Sequence, residues 1–182
     1  MPQVDPVLGW MVTAAAAAVF AASGALKFYD LETFRGAVAN YRILPQWLEA
    51  PFAWTVPVIE CAAALGLLAP ALRPRAALAL IALLGAFTAA VVINLARGRT
   101  DIDCGCFGPA LRQRLSWWLP VRNAALLVLL AIAAMPTDGR AMGWLDFATV
   151  GFAAATLVVL YAAANYLIAN APGLHALRAL NA

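Results

Sequence analysis

The chain has 182 residues, of which 65% are hydrophobic and 12% are charged. Soluble globular domains contain roughly 45–50% apolar and about 25% charged residues. A soluble core of this length does not bury so much apolar surface, so the composition excludes a soluble domain and indicates a chain that lies in the lipid bilayer. The net charge of +3 comes from residues between apolar runs, which leaves no long basic face for nucleic acid. One His and three Cys also argue against a closed structural metal site, and we predict none.

Five apolar runs are each long enough to cross a hydrocarbon core of about 30 Å, which takes about 20 helical residues. They cover residues 7–26, 52–72, 76–96, 117–135 and 147–169. Only helices suit these runs, because every backbone amide in hydrocarbon needs a partner within its own segment. The first run is interpreted as a span; a signal peptide is the alternative, but its leader lacks Lys and Arg. The sequence therefore predicts an all-α membrane protein with a single transmembrane domain over residues 1–182.

The first connection carries a short amphipathic pattern. Apolar residues recur there at steps of three and four, at Leu31, Phe34, Val38 and Tyr41. This spacing predicts a helix over residues 31–41 that lies in the membrane interface. We expect Asp30 to cap its start and Pro45 to end it.

Five spans place the first connection, the third connection and the C-terminus on one side of the membrane, here called the loop side. Polar residues within the spans gather in the loop-side half, at Lys27, Glu60, Asn94, Arg122 and Asn123. Such residues are costly in a bilayer and tend to mark function or partner contacts. Proximity to water at a helix end explains Lys27 and Asn94 easily, and Glu60 poorly. We predict a pairing or functional role for Glu60, with Lys27 or Arg122 as its partner.

The third connection, residues 97–116, contains the sequence Cys104-Gly105-Cys106. Two residues so close in sequence reach disulfide distance when the chain bends at the glycine. The small ring formed is strained, and strained exposed disulfides are the exchangeable ones. A structural staple would close a longer loop. The pair therefore predicts reversible dithiol–disulfide chemistry, with Cys104 and Cys106 as the catalytic residues.

Other interpretations of the pair stay open. The two thiols could be unpaired surface cysteines, could bind a soft metal ion through two thiolates, or could only shape a turn. The neighbours Arg97 and Arg99 favour a thiolate while Asp101 and Asp103 oppose it, so the sequence does not say which thiol attacks.

Aromatic residues concentrate on the loop side, as expected of an interfacial belt. An alternative is that some of them line a slot for a quinone ring, which needs apolar walls and a few polar groups. Such a slot would lie near Tyr41, Glu60, Phe107 and Arg122.

Four segments, in this order and spacing, resemble the methylamine utilisation membrane protein family, MauE. They read SGALKFYDLETFRGAVANYRILP, VPVIE, LLGAFTAAVVINLARGRTDIDCGCFG and LSWWLPVRN, and they extend from about Ser23 to Ala134. The family is distantly similar to DoxX-like membrane proteins and, in architecture, to the four-helix bundle of vitamin K epoxide reductases. The resemblance implies a bundle of four core transmembrane helices, to which the fifth, C-terminal helix is added.

The resemblance also implies a role beside a membrane-anchored thioredoxin-like partner. Together they would mature a disulfide-rich periplasmic client, such as the small subunit of methylamine dehydrogenase. Separately, the polar residues in one half of the bundle suggest that a quinone near Glu60 and Arg122 receives electrons that continue into the membrane. Carried over by position, Cys104 and Cys106 are the redox pair, and the motif residues around it are Lys27, Arg42, Glu60, Asn94, Arg97, Arg99, Asp103 and Arg122. The chain has CxC where the epoxide reductases have CxxC, which leaves the electron path open.

Two other classes of function fit the same sequence. A non-enzymatic docking or chaperone subunit would use the cysteines only to brace the loop. A DoxX-like quinone or thiosulfate enzyme subunit, or a soft-metal carrier, would turn over thiosulfate or bind metal tightly.

Two arguments about orientation in the bacterial inner membrane disagree. The loop side has nine of the 12 Lys and Arg residues, and the positive-inside rule places such a side in the cytoplasm. Disulfide chemistry belongs on the oxidising side of the membrane. We predict that the redox loop faces the periplasm, because several of its arginines belong to the site itself.

Overall fold

The computed structural model describes residues 4–105 and 113–180, the last ten of these as backbone only. Cys106 and Phe107 lie outside the described residues, so what the sequence predicts for them stays a prediction. Within the described residues the regular elements are six helices, which confirms an all-α protein. They are α1 (Pro6–Tyr29), α2 (Leu31–Tyr41), α3 (Gln46–Leu68), α4 (Arg73–Ala96), α5 (Trp118–Ala134) and α6 (Trp144–Leu180).

Four of the helices are long and apolar enough to cross a bilayer: α1, α3, α4 and, over Trp144–Asn170, α6. The fifth apolar helix, α5, has 17 residues and is therefore about 25 Å long. That length is slightly less than a hydrocarbon core of about 30 Å. The chain has the helical content of a multi-pass membrane protein.

Several helices extend beyond the apolar runs that predict them. Helix α3 begins at Gln46, ahead of the run at 52–72, and contains both Pro51 and Pro57; it ends at Leu68. Helix α4 begins at Arg73, ahead of the run at 76–96. The reason is that helical hydrogen bonding does not stop where hydrophobicity stops, so polar interfacial residues continue a helix.

Helices α1, α3, α4 and α5 form a four-helix bundle in which each packs against the next, with α5 closing back on α1. Helix α6 packs on the outside of this bundle, mainly along α1. The half of the bundle away from the loop side is filled by apolar side chains such as Phe20, Leu67, Leu80 and Leu130. This arrangement confirms four core helices with a fifth, C-terminal helix added.

Helix α2 is the predicted amphipathic helix, and it buries its apolar stripe. Phe34, Val38 and Tyr41 are buried, while Glu32 on the other face is exposed. The Asp30 side chain accepts a hydrogen bond of 3.0 Å from the amide of Thr33, which confirms the cap. The helix has the predicted bounds, Leu31–Tyr41; Arg42, in the left-handed region with φ 49°, is its C-cap, and Pro45 follows three residues later as the N-cap of α3. Its position in the membrane interface stays a prediction.

Candidate functional site

Cys104 lies at the centre of the loop side and is fixed there by backbone hydrogen bonds. Its amide donates to the carbonyl of Gln113 at 2.8 Å, and the amide of Leu115 donates to Ile102 at 3.0 Å. These two bonds join the incoming and outgoing arms of the loop as a short antiparallel ladder. The Tyr41 hydroxyl of α2 donates to the carbonyl of Cys104 at 3.4 Å. The residue is only 3% exposed, so the loop folds its first cysteine inward.

Gly105, between the two cysteines, requires glycine for two reasons. Its φ is +73°, in the left-handed region that L side chains rarely adopt. A Cβ there would also lie 2.8 Å from the Cβ of Ala37, so the loop backbone packs directly on α2. The chain thus bends at the position where the sequence predicts bending.

A small cavity of about 40 Å³ extends from Cys104 into the bundle; most of its wall is apolar, and it is called the polar cavity here for the polar side chains that line the rest of it. Its polar lining comes from α1, α3, α5, α6 and the loop and comprises Ser23, Lys27, Glu60, Cys104, Arg122, Asn123 and Tyr161. A buried water occupies roughly 10–15 Å³ in this measure, so about three waters fit. Lys27, Glu60, Arg122 and Asn123, which the sequence places in one half of the bundle, therefore line one cavity beneath the cysteine, while Asn94 does not.

Glu60 forms a buried ion pair with Lys27, one of its two predicted partners. The Lys27 ammonium donates to Glu60 Oε2 at 2.7 Å and to Oε1 at 2.8 Å, and the side chains are 3% and 6% exposed. The ammonium also donates to the Ser23 hydroxyl at 2.6 Å, one helical turn earlier on α1. Its third neighbour is the ring of Phe34, whose centroid lies 5.5 Å away.

Arg122 joins α5 to the loop and to α6. Its guanidinium donates to Gln113 Oε1 at 3.1 Å, to Asn165 Oδ1, and to Asn123 Oδ1 at 3.0 Å. The Tyr161 ring of α6 lies 5.9 Å from the guanidinium. Gln113 in turn donates to the backbone carbonyl of Asn165 at 2.8 Å. The network holds the outgoing arm of the cysteine loop against two helices.

The motif residues Asn94 and Arg99 fix the end of α2. The Arg99 guanidinium donates to the carbonyls of Asn40 and Tyr41, at 3.0 and 3.4 Å, and to Asn94 Oδ1 at 3.0 Å. An arginine at this position satisfies carbonyls that the last helical turn leaves without partners. These contacts connect α2 to the end of α4, next to Tyr41, which contacts the cysteine backbone.

Three other predicted site residues lie outside the polar cavity. Arg42 and Arg97 are exposed and stand at the ends of α2 and α4. Asp103 is half-buried and pairs through its backbone with Arg114 in the loop ladder.

A second cavity, of about 190 Å³, begins at the other side of Cys104 and is almost wholly apolar. It lies between α2, the start of α3 and the middle of α4, and its walls include Phe34, Tyr41, Phe52 and Phe87. Cys104 and Phe87 line both cavities. The cysteine therefore lines both the polar cavity and the larger apolar one.

Comparison with known proteins identifies the chain. The family described as "Methylamine utilisation protein MauE" matches residues 5–136. The methylamine utilization protein MauE of Paracoccus versutus is 41% identical over 164 residues, covering 90% of this chain and 88% of the relative. The protein of the same name from Methylorubrum extorquens is 40% identical over 157 residues, covering 86% and 84%. The chain belongs to the MauE family. No solved structure gives a significant match.

The family match extends further than the sequence motifs do. The relatives cover about nine-tenths of this chain, whereas the recognisable segments extend from Ser23 to Ala134. The structure shows what the C-terminal part of this MauE protein contributes, since α6 supplies Asn165 and Tyr161 to the Arg122 network. Gln113 and Tyr161 are not predicted from the sequence, because no local pattern marks a residue whose partners are distant in sequence.

Proposed function

We propose that this MauE protein is a membrane thiol–disulfide redox partner that acts through Cys104 and Cys106. A thiolate of the pair attacks a disulfide of a thioredoxin-like, membrane-anchored partner, or a thiolate of the partner attacks the disulfide between Cys104 and Cys106. A mixed disulfide forms, and the second cysteine resolves it. Two electrons and two protons move in each cycle, since one protein ends as a disulfide and the other as a dithiol. The reaction supports disulfide formation in a periplasmic client such as the small subunit of methylamine dehydrogenase.

The observation that carries the proposal is the setting of Cys104. A cysteine that only shapes a turn needs no polar cavity beside it, yet Cys104 shares one with an ion pair and an arginine. Two cations and one carboxylate line that cavity, and surplus positive charge favours a thiolate. Gly105 bends the chain directly after Cys104, as a disulfide between cysteines two residues apart requires.

A quinone is the proposed acceptor when electrons continue into the membrane, and the two cavities differ in their fit to it. An engineered apolar cavity of about 150 Å³ holds a benzene ring. The polar cavity beside Glu60 and Arg122, at about 40 Å³, is too small for a ring, while the apolar cavity beside Tyr41, at about 190 Å³, has room. We therefore assign the quinone to the Tyr41 side. A bound quinone would be reduced there to the quinol by the two electrons and two protons that the dithiol releases when its S–S bond forms, with Phe34, Phe52 and Phe87 as apolar walls.

The decisive experiment replaces each cysteine separately. Cys104→Ser and Cys106→Ser, produced in a methylamine-grown bacterium that lacks its own MauE, are expected to abolish accumulation of the disulfide-bonded small subunit. Cys61→Ser is the matched control, because Cys61 lies on α3 against Gly24 and lines neither cavity. A protein that carries both Cys104→Ser and Cys106→Ser is also tested. Full maturation of the client with this double variant, at normal abundance, would contradict the proposal and favour a docking or chaperone subunit.

A further inference from the structure

The buried ion pair beneath Cys104 contains two charged groups, and stability alone does not require charged groups at these positions. Breaking a pair in such an environment is costly, and replacing it with apolar residues is often neutral or stabilising. Lys27 and Glu60 nevertheless lie within a bundle whose remaining buried residues on these helices are mostly Ala, Val and Leu. Their retention beside a cysteine calls for a chemical explanation.

We infer that Glu60, held by Lys27 and Ser23, is the proton acceptor and donor for the Cys104 thiol, through waters of the polar cavity. The inference rests on the proposed redox function and assigns a residue role within it. When Cys104 becomes a thiolate, its S–H bond breaks, the electron pair stays on sulfur, and the proton ends on a Glu60 carboxylate oxygen. When Cys104 leaves a disulfide as a thiolate, the same proton returns to it.

The charges of the cavity support transfer inside the site. The charged and titratable side chains that face it are Lys27 from α1, Glu60 from α3, Arg122 from α5, Tyr161 from α6 and Cys104 from the loop. Helix α4 contributes apolar side chains such as Phe87 and Val91. Moving a proton from Cys104 to Glu60 leaves the total charge of this group unchanged, whereas releasing it to water adds a negative charge in a low-dielectric region.

Geometry supports the same assignment. Lys27 contacts both carboxylate oxygens, so it fixes the position of the carboxylate. The cavity that Glu60 and Cys104 both line has room for about three waters. Ser23 accepts from Lys27 and also lies 3.4 Å from Glu60 Oε1, with its hydroxyl as donor.

The test is the pH profile of Cys104 alkylation in the full-length protein with Cys61→Ser and Cys106→Ser, using iodoacetamide between about pH 4 and pH 10. Only the thiolate reacts. If the proton goes to Glu60, the Cys104–Glu60 pair loses its two protons in two separate ionisations. Between them, a constant fraction of the molecules has a Cys104 thiolate beside a neutral Glu60 carboxyl. The rate is then expected to rise in two steps with a plateau between them.

Glu60→Gln is expected to remove the lower step and leave a single rise of about tenfold per pH unit, wherever its midpoint falls. The double variant Lys27→Met with Glu60→Gln must behave in the same way, and it keeps the test valid where Glu60→Gln alone misfolds. Glu49→Gln, on the first turn of α3, is the matched control and keeps both steps.

A single step in the parent, or two steps in the Glu60→Gln protein, would overturn the inference, because a Glu60 that stays ionised over the whole pH range shifts the midpoint of the Cys104 titration without creating a plateau. A Cys104 that iodoacetamide fails to modify at every pH would overturn it as well. The redox proposal is judged separately by the cysteine substitutions, so a reactive Cys104 with a single step removes the role of Glu60 and leaves the redox proposal standing.

Discussion

The ammonium of Lys27 lies 2.7 Å from Glu60 Oε2, and both side chains are almost completely buried between α1 and α3. The contact links the last turns of α1 to the middle of α3 at the level where Gly24 allows the two helices to approach closely. A Cβ at Gly24 would lie 2.6 Å from the sulfur of Cys61. The ion pair and the close helix approach are therefore parts of one packing arrangement.

Removing one partner of this pair is expected to destabilise the protein far more than removing both. Lys27→Met or Glu60→Gln leaves a buried group without its partner, at a cost of about 3–5 kcal/mol in the free energy of unfolding. The double variant Lys27→Met with Glu60→Met is expected to recover most of that loss. Unfolding in mixed detergent micelles measures the difference.

The exposed pair of Arg114 and Asp101 provides the control for that experiment, because its side chains are 76% and 89% exposed. Asp101→Asn is expected to leave stability unchanged. Equal stability of both single variants and the wild-type protein would show that the Lys27–Glu60 contact does not form.

Substitution of two glycines with nearly the same φ allows the effect of backbone strain to be measured apart from the effect of close packing. Gly98 has φ +72° and open space around it, while Gly105 has φ +73° and lies against Ala37. Gly98→Ala is expected to cost about 1–2 kcal/mol through its left-handed conformation alone. Gly105→Ala adds a collision with α2, so its loss of stability and of redox activity is expected to be larger.

Ala37→Gly offers the corresponding rescue, because it removes the atom that the new Cβ meets. In the Gly105→Ala background it is expected to restore part of the stability and activity, measured by thermal unfolding and by client maturation. Equal effects of Gly98→Ala and Gly105→Ala would contradict close packing of the loop on α2.

Asn165 is expected to connect α6 to the cysteine loop. It contacts Gln113 and Arg122, whereas Asn170, one turn and a half further along the helix, is exposed and bonds within α6. Asn165→Ala is expected to increase hydrogen exchange at the amide of Cys104, which donates to Gln113. Asn170→Ala is the control and is expected to leave exchange unchanged; the same exchange rate in both variants would show that the network does not restrain the loop.

Much of the fold follows from the sequence because hydrophobic runs and caps are local signals. The apolar runs predict the five long helices, the stripe from Leu31 to Tyr41 predicts α2, and Asp30 marks its start. The exact helix ends do not follow, since Pro51 lies inside α3 although it reads as a boundary.

The site is only partly predictable, because its contacts join residues that are distant in the sequence. A charge in hydrocarbon demands a partner, which singles out Glu60 and narrows its partner to two residues. The choice of Lys27 depends on how α1 and α3 are rotated against each other, which the sequence does not state. Gln113 and Asn165 meet across 52 positions of the chain, and no short pattern encodes such a contact. Arg42 and Arg97 belong to the motif segments but lie at exposed helix ends.

The loop side is expected to face the periplasm. Two exposed residues on opposite sides of the membrane test this orientation. Tyr29, at the end of α1, is 88% exposed, and Trp144, at the start of α6, is 78% exposed. In a protein without its own cysteines, Tyr29→Cys is expected to react with a membrane-impermeant maleimide in intact cells. Trp144→Cys is expected to react only after the cells are opened. The reverse pattern would place the loop in the cytoplasm, as the positive-inside rule has it.

The central claim is that Cys104 and Cys106 open and close a disulfide, and mass spectrometry of the loop peptide tests it most directly. Cleavage after Arg99 and Arg112 releases one peptide that contains both cysteines and no other. Rapidly acidified membranes are expected to yield this peptide lighter by two hydrogen atoms and resistant to alkylation until a reductant is added. Cys61 is expected to be alkylated both without and with the reductant. A loop peptide that is doubly alkylated without reductant, in membranes from cells actively maturing the client, would contradict the claim.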